Sequence, residues 1–367
     1  GKATCAAFTR RGTLLAAGTT DGVVVIWDFE TRSVAREFRD ESGDKDDQDG
    51  GGAAVLSVSW SRDGKKLISA AADCSMSVWD VVEDDPEADA QLGRYTFQAP
   101  LHHVQFCPTN SSLALVSHVE GGPITFALNR SRKKTPLPQF AGIVDRASYV
   151  CRMPSTGLSL DPSTSATAYA TYSKSGKYVF VANQRGMVTV VETATMDIVQ
   201  ALRVPEGATL IKRLELSRDG KHLAVVSNTK MISSYDVNDA DLAPEDRDGE
   251  VLTPRHSFRN PVHNSQWGAA AFSHDAEYVV GARAGGHHEL HVWNRETGIL
   301  EKILEGAGEA KGITQIASHP ARPLVVAVGI NGQLYVWAKS YVENWSAFAP
   351  DFEELDENQE YVEREDE

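Results

Sequence analysis

The sequence has little cysteine, no long apolar run and no excess of positive charge. Only four of its 367 residues are cysteines. They lie far apart and form no C-x-x-C pair, which argues against a zinc site and a disulfide framework and favours a reducing compartment. No apolar stretch approaches the roughly 18 residues needed to cross a bilayer. We therefore expect no membrane partner.

Positive charge is in deficit, with 36 basic against 51 acidic residues and a formal net charge of −15. Most of the deficit lies in three short segments. Residues 351–367 contribute −9, and segments 40–52 and 83–89 contribute −5 each, which leaves about +4 on the rest of the chain. The overall charge therefore does not exclude a polyanionic partner for the body of the protein.

The common sequence signatures of enzymes are also missing. The chain has no G-x-S-x-G elbow, phosphate-binding loop, dinucleotide fingerprint or H-E-x-x-H motif. If the protein were instead a propeller enzyme, its site would use the cluster of His287, His288 and His291. Alternation along a strand would direct His288 and His291 to opposite faces. We therefore expect no catalytic residue, no metal and no cofactor.

A repeated pattern predicts the architecture. An apolar stretch ends at a first anchor residue, and a turn, a strand, a second turn and a strand with a second anchor follow. The distance between the anchors is 19 residues in five of seven copies, and 20 and 21 in the others. The anchor pairs are Phe8/Trp27, Trp60/Trp79, Phe106/Phe126, Tyr172/Val191, Leu216/Tyr235, Phe272/Trp293 and Ser318/Trp337. Short alternating strands joined by Asp-Gly, Arg-Gly and Asn-Gly turns indicate antiparallel sheets that stack radially.

Two copies end in the dipeptide typical of WD40 repeats, at Trp27-Asp28 and Trp79-Asp80. The sequence thus predicts an all-β fold, a seven-bladed WD40 β-propeller over residues 1–340 followed by an extended acidic C-terminal segment, 341–367. Surface insertions are expected at 40–52 and 129–160. How the ring closes stays open: either a preceding strand or residues around 341–348 complete the last blade.

The segment after the last repeat combines aromatic residues with carboxylates. Aromatic side chains supply binding area rather than solubility, so this composition predicts a segment that binds a basic partner surface. For Trp345 and Phe348, packing back onto the propeller is the alternative.

Three segments resemble the retinoblastoma-binding protein 5 family, known in yeast as the Swd1 subunit of COMPASS. They are NWSAFAPDF at 344–352, GTLLA at 12–16 and WSRDG at 60–64. The resemblance implies a nuclear, non-catalytic scaffold of complexes that methylate lysine 4 of histone H3. In this family the segment after the propeller binds and activates a SET-domain methyltransferase of the MLL/SET1 type, together with an Ash2-type SPRY subunit. The propeller contacts nucleosomal DNA and histones.

The resemblance also implies particular contact residues. For the SET domain they are Asn344, Trp345, Phe348, Pro350, Phe352 and Glu354. For the SPRY partner they are Glu360, Tyr361, Glu363 and Glu365. For nucleosomal DNA they are Lys230 and Arg283. A second WD40 subunit is expected to bind a motif beyond Glu367. The alternative function is a general WD40 adaptor in ubiquitin ligation or RNA processing.

Overall fold

The computed structural model describes residues 1–39, 52–82, 90–118, 123–128, 150–152, 169–182, 186–205, 207–208, 210–239, 250–259, 266–306 and 312–338. The chain divides into one compact unit, Gly1–Trp337, and a second, Ala338–Glu367. In the described ranges there is no helix long and apolar enough to cross a membrane.

The compact unit consists of seven antiparallel sheets, one for each repeat, which we call blades 1 to 7. Within each blade the strands pair in chain order and are labelled a to d. Blade 1 contains β1 (Ala3–Phe8), β2 (Leu14–Thr19), β3 (Val23–Asp28) and β4 (Ser33–Arg39); blade 2 contains β5 (Val55–Trp60), β6 (Lys66–Ala71), β7 (Ser75–Asp80) and β8 (Gln91–Thr96); blade 3 contains β9 (Leu101–Phe106), β10 (Leu113–His118), β11 (Ile124–Ala127) and β12 (Val150–Arg152).

Blade 4 contains β13 (Tyr169–Tyr172), β14 (Tyr178–Ala182), β15 (Met187–Glu192) and β16 (Ile198–Arg203); blade 5 contains β17 (Ile211–Leu216), β18 (His222–Ser227), β19 (Ile232–Val237) and β20 (Leu252–Phe258). Blade 6 contains β21 (Trp267–Phe272), β22 (Tyr278–Arg283), β23 (Glu289–Asn294) and β24 (Leu300–Glu305); blade 7 contains β25 (Ile313–Ser318), β26 (Leu324–Gly329) and β27 (Leu334–Ala338). Within the described ranges blade 7 therefore has three strands. Residues 341–348, one of the predicted candidates for a fourth, lie outside those ranges.

The structure explains the fixed anchor spacing. Every first anchor is the last residue of an a strand, and every second anchor lies on the c strand of the same blade. The constant distance is therefore the path through strands a, b and c, as predicted. In blade 6 the distance of 21 residues arises because the turn between β22 and β23, at 284–288, is two residues longer than the turn at 20–22 in blade 1.

The insertion predicted at 129–160 contains a piece of the fold. Residues 150–152 form β12, which pairs with β11 as the fourth strand of blade 3. Three residues are too few for a period-2 pattern to be recognised, so this strand could not be predicted from the sequence. The acidic insertion at 40–52 joins blade 1 to blade 2, and residues 40–51 lie outside the described ranges.

The ring closes through the a strands, each of which contacts the a strands of its two neighbours. Side chains bond neighbouring a strands directly. Ser57 Oγ accepts a hydrogen bond from Val104 N at 3.2 Å, between blades 2 and 3. Between blades 7 and 1, the Gln315 amide accepts from Ala6 N and donates to Ala6 O, both at 3.1 Å. The last blade is therefore joined to the first by the same kind of bond that joins neighbours in sequence.

The ring has two faces, which carry different turns. Because successive strands run in opposite directions, the turns from a to b and from c to d meet at one face, the AB–CD face. The turns from b to c and the connections from d to the next blade meet at the other, the BC–DA face. The core lies between blades: Ile68 of blade 2, for example, packs in one cluster with Val104 and Phe126 of blade 3.

Candidate functional site

The two residues expected to contact DNA lie close together on the BC–DA face, on either side of Trp267. Lys230 is in the turn between β18 and β19, and its carbonyl oxygen accepts a hydrogen bond from Trp267 Nε1 at 2.9 Å. Arg283 ends β22 and is the strand partner of Trp267 across the β21–β22 pair. Trp267 is completely buried. The fold therefore brings both residues to the join between blades 5 and 6.

A third cation belongs to this group, which we call the Trp267 cluster: Lys212, Lys230, Arg283 and Trp267. Lys212 Nζ donates to Trp267 O at 3.4 Å and to Gln266 Oε1 at 3.3 Å. Burial lowers its pKa. Sequence reasoning missed Lys212 because a lone lysine in an alternating strand has no signature; only the placement of β17 beside β21 gives it a role.

The cations of the cluster differ in exposure. Arg283 Nη1 lies 3.0 Å from Glu289 Oε2, and the Arg283 side chain keeps only 12% of its surface exposed. Glu289 Oε2 is also 3.6 Å from His291 Nε2. Lys230 is exposed and, in the part of the chain that the structure describes, has no carboxylate within ion-pairing distance. Lys230 thus presents its charge to solvent, whereas Arg283 is committed to a partly buried ion pair.

The residues expected to bind the SET domain and the SPRY partner, between 344 and 365, lie outside the described ranges. Their assignment stays a prediction.

The histidine cluster separates as strand alternation predicts. His288 packs on the rings of Tyr335 and Trp337 in blade 7, with ring centroids 4.2 and 5.0 Å away. His291 instead packs on Trp267 in its own blade, at 5.1 Å. His287 is exposed. Among the described residues no three His, Cys, Asp or Glu side chains form a group that could hold a metal ion.

Ionisable side chains of three a strands form a second polar group at the inner side of the ring. His103 Nδ1 is 3.1 Å from the Tyr169 hydroxyl, and the two rings stack. Arg213 Nη1 lies 3.7 Å from Glu215 Oε1. Burial, followed by the charges of Arg213 and His102, lowers the pKa of His103 to about 3, and burial raises that of Glu215 to about 7. His103 is therefore uncharged at neutral pH and serves as a packing and hydrogen-bonding side chain.

The comparisons agree with this architecture. The sequence matches the family described as WD domain, G-beta repeat over residues 1–28 and 48–80. The fold is similar to the crystal structure of the Cps50 (Swd1) β-propeller domain of Myceliophteria thermophila, with a TM-score of 0.77 and 27% identity over 93% of this chain and 98% of that one. With seven sheets closed into a ring, the protein is a WD40 β-propeller.

Relatives that match along nearly the whole of this chain define the family. "Protein RBL" of Arabidopsis thaliana is 36% identical over 99% of this chain and 67% of its own length. "Retinoblastoma-binding protein 5 homolog" of Drosophila melanogaster is 32% identical over 99% and 66%. "Set1 complex component swd1" of Schizosaccharomyces pombe is 30% identical over 100% and 83%. The chain belongs to the retinoblastoma-binding protein 5/Swd1 family, and it spans about two thirds of the length of the first two relatives.

Proposed function

We propose that this protein is a nuclear, non-catalytic scaffold subunit of a COMPASS-type histone H3 lysine-4 methyltransferase complex. Its segment after the propeller binds the SET domain of the methyltransferase and, with an Ash2-type SPRY subunit, orders that domain for catalysis. The observation that carries the proposal is similarity along the whole chain to relatives named as components of the Set1 complex and of COMPASS.

The chemistry of the tail supports this role. Residues 351–367 hold ten acids and one base, with Phe352 and Tyr361 among them. Buried aromatic anchors carry most of the energy of such interfaces, and the surrounding carboxylates select a basic groove. Ordering a mobile catalytic domain accelerates its reaction because less entropy is lost on reaching the reactive geometry.

In the same proposal the BC–DA face meets nucleosomal DNA. Lys230 is its primary phosphate contact, because it is exposed and has no ion-pair partner in the described ranges. The charge of Arg283 is balanced by Glu289, so Arg283 contacts phosphate only if that ion pair opens. A single exposed lysine adds modest affinity, and that contribution weakens with salt.

The decisive experiment is a reconstituted complex of this chain with a SET-domain methyltransferase and an Ash2-type SPRY subunit. We expect Phe352→Ala to lower stimulation of methylation about tenfold at limiting protein, as for loss of an interface hot spot. Ile303→Ala, which shortens an exposed apolar side chain on β24, is the matched control and is expected to leave stimulation unchanged.

Equal methylation rates with wild-type protein and with Phe352→Ala would argue against the tail as activator. Removal of residues 344–367 separates the scaffold from the general adaptor. An adaptor retains its partners through the propeller, whereas the scaffold proposed here loses the SET domain and the SPRY subunit together.

A further inference from the structure

The AB turns repeat a pattern of basic residues on the face opposite to the Trp267 cluster. In blades 2 and 5 the turn is the same pentapeptide, Ser-Arg-Asp-Gly-Lys, at 61–65 and 217–221. Blade 4 has Ser-Lys-Ser-Gly-Lys at 173–177, and blade 1 has Arg10 at the second position. We call this set the basic collar: Arg10, Arg62, Lys174 and Arg218 at the second position and Lys65, Lys177 and Lys221 at the fifth.

Neighbouring contacts hold the collar in place. Arg62 Nη1 donates to Pro108 O of blade 3 at 3.4 Å, and Lys174 Nζ donates to Asp219 O of blade 5 at 3.1 Å. Arg218 Nη1 donates to Pro320 O of blade 7. Three of the four cations at the second position therefore reach from one turn to another, which connects these turns into one surface.

These bonds position the cations without neutralising them, because a carbonyl oxygen carries no net charge. Arg62, Lys174 and Arg218 are all exposed, and within the described ranges none of them lies within 4 Å of a carboxylate. The acids of the same turns are engaged locally: Asp63, for example, accepts from Ser61 Oγ at 2.6 Å and from Lys65 N at 3.2 Å. The four collar turns hold eight basic and two acidic residues, a net charge of +6, and Asp239 of blade 5 bonds Ser175 in the blade 4 turn.

The same face also exposes apolar side chains at its outer rim. Of the nine exposed large hydrophobic residues in the described ranges, four follow the c strands or begin the d strands: Val34, Val82, Ile198 and Ile299, which are 40–62% exposed. A phosphate backbone offers nothing for such side chains to bury against. A polypeptide that carries both carboxylates and apolar residues satisfies the collar and the rim together.

We propose that the AB–CD face is a docking surface for an acidic segment of a partner protein, with carboxylates on the basic collar and apolar residues on the rim. This surface is separate from the DNA contact of the proposed function, which lies on the opposite face.

The test measures binding of a fluorescently labelled synthetic peptide, in which pairs of glutamates alternate with single leucines, to the full chain. Reversing three collar charges, Arg62→Glu, Lys174→Glu and Arg218→Glu, is expected to weaken binding by about tenfold or more. The matched control reverses three exposed charges near the BC–DA face, Lys2→Glu, Arg39→Glu and Arg203→Glu, and is expected to change affinity less than about twofold.

A second peptide, with serine in place of each leucine, is expected to bind several-fold more weakly because it leaves the rim exposed. A short DNA duplex is expected not to compete. Equal losses with both triple variants, equal binding of the two peptides, competition by DNA that depends on the collar, or no binding to wild-type protein would each overturn the proposal. If the collar variant unfolds, Arg10→Glu with Arg11→Glu replaces it, because the structure describes no hydrogen bond from either side chain.

Discussion

The two faces of the ring are built by different means. On the AB–CD face the turns in blades 1, 2, 4 and 5 have one length and a glycine with positive φ at the fourth position. On the BC–DA face the turns range from three to five residues, and the structure depends on particular contacts, such as the indole of Trp267 and the Arg283–Glu289 pair. The AB turns of the first face take their shape mainly from local sequence and are then linked by side-chain bonds, whereas the second face depends on tertiary packing.

This difference predicts where the fold is most sensitive. Each AB turn is supported by its own hydrogen bonds, so we expect a substitution in one turn to destabilise mainly that turn. A buried contact between blades has no local substitute, so its removal affects two blades together.

The largest expected effect is on the BC–DA face. Trp267→Ala removes a fully buried indole that packs on Trp293 at 5.0 Å and leaves the Lys230 carbonyl without its donor. We expect it to lower the free energy of unfolding by about 4 kcal/mol in urea denaturation.

The matched change near the other face is Trp60→Ala. This partly buried indole also bonds a carbonyl of the neighbouring blade, Ala7 O, at 3.0 Å. We expect it to cost about half as much. Equal costs at the two tryptophans would remove the distinction between the faces.

An intermediate effect is expected at the turn glycines. Gly12 has φ of 80°, and a Cβ there would overlap the His319 ring of blade 7, so Gly12→Ala is expected to cost about 2 kcal/mol. Gly64 has φ of 72° and open space, with its nearest neighbour 3.9 Å from an added Cβ. Gly64→Ala therefore isolates the backbone penalty, about 1 kcal/mol. Thermal denaturation measures both, and a Gly12 cost no larger than that of Gly64 would mean that the turn is not held by its neighbour.

The smallest expected effect is on the stability of the fold at acidic pH. Hydrogen bonds, led by Ser61 Oγ, lower the pKa of Asp63. Burial acts to raise the pKa values of Asp219 and Asp275, but bonds from Ser217, Lys221, Ser273 and Glu277 outweigh it and lower both. Because the folded pKa values lie below the unfolded ones, the folded state binds fewer protons. The stability from these turns is present above pH 4 and is lost as the pH falls through the folded pKa values.

A variant with Asn at these three positions keeps the acceptor oxygens but cannot titrate. We expect it to lose less stability than wild type between pH 6 and pH 3, by less than about 1 kcal/mol per site. Parallel urea curves at the two pH values measure the difference. An unchanged pH dependence would show that the turn carboxylates contribute nothing to acid sensitivity.

The same contrast explains what the sequence could predict. The seven blades and their strand anchors were predictable because they repeat, and Ser-Arg-Asp-Gly-Lys at 61–65 and 217–221 encodes its own turn. The Arg283–Glu289 ion pair was not predictable from the sequence, because it spans the irregular turn at 284–288. Lys212 was missed because its partner lies 55 residues away in sequence. Strand β12 was missed because it is only three residues long.

The bidentate bond between Gln315 and Ala6 has a consequence for how the ring unfolds. In an open array of repeats the terminal units have one neighbour and fray first. Here blade 1 and blade 7 each have two neighbouring blades, so we expect neither end of the propeller to fray first. Amide hydrogens of β1 and β25 should exchange as slowly as those of β9. Gln315→Leu should weaken the join between blades 7 and 1 without removing the His319–Gly12 contact, so exchange should accelerate first in β1 and β25.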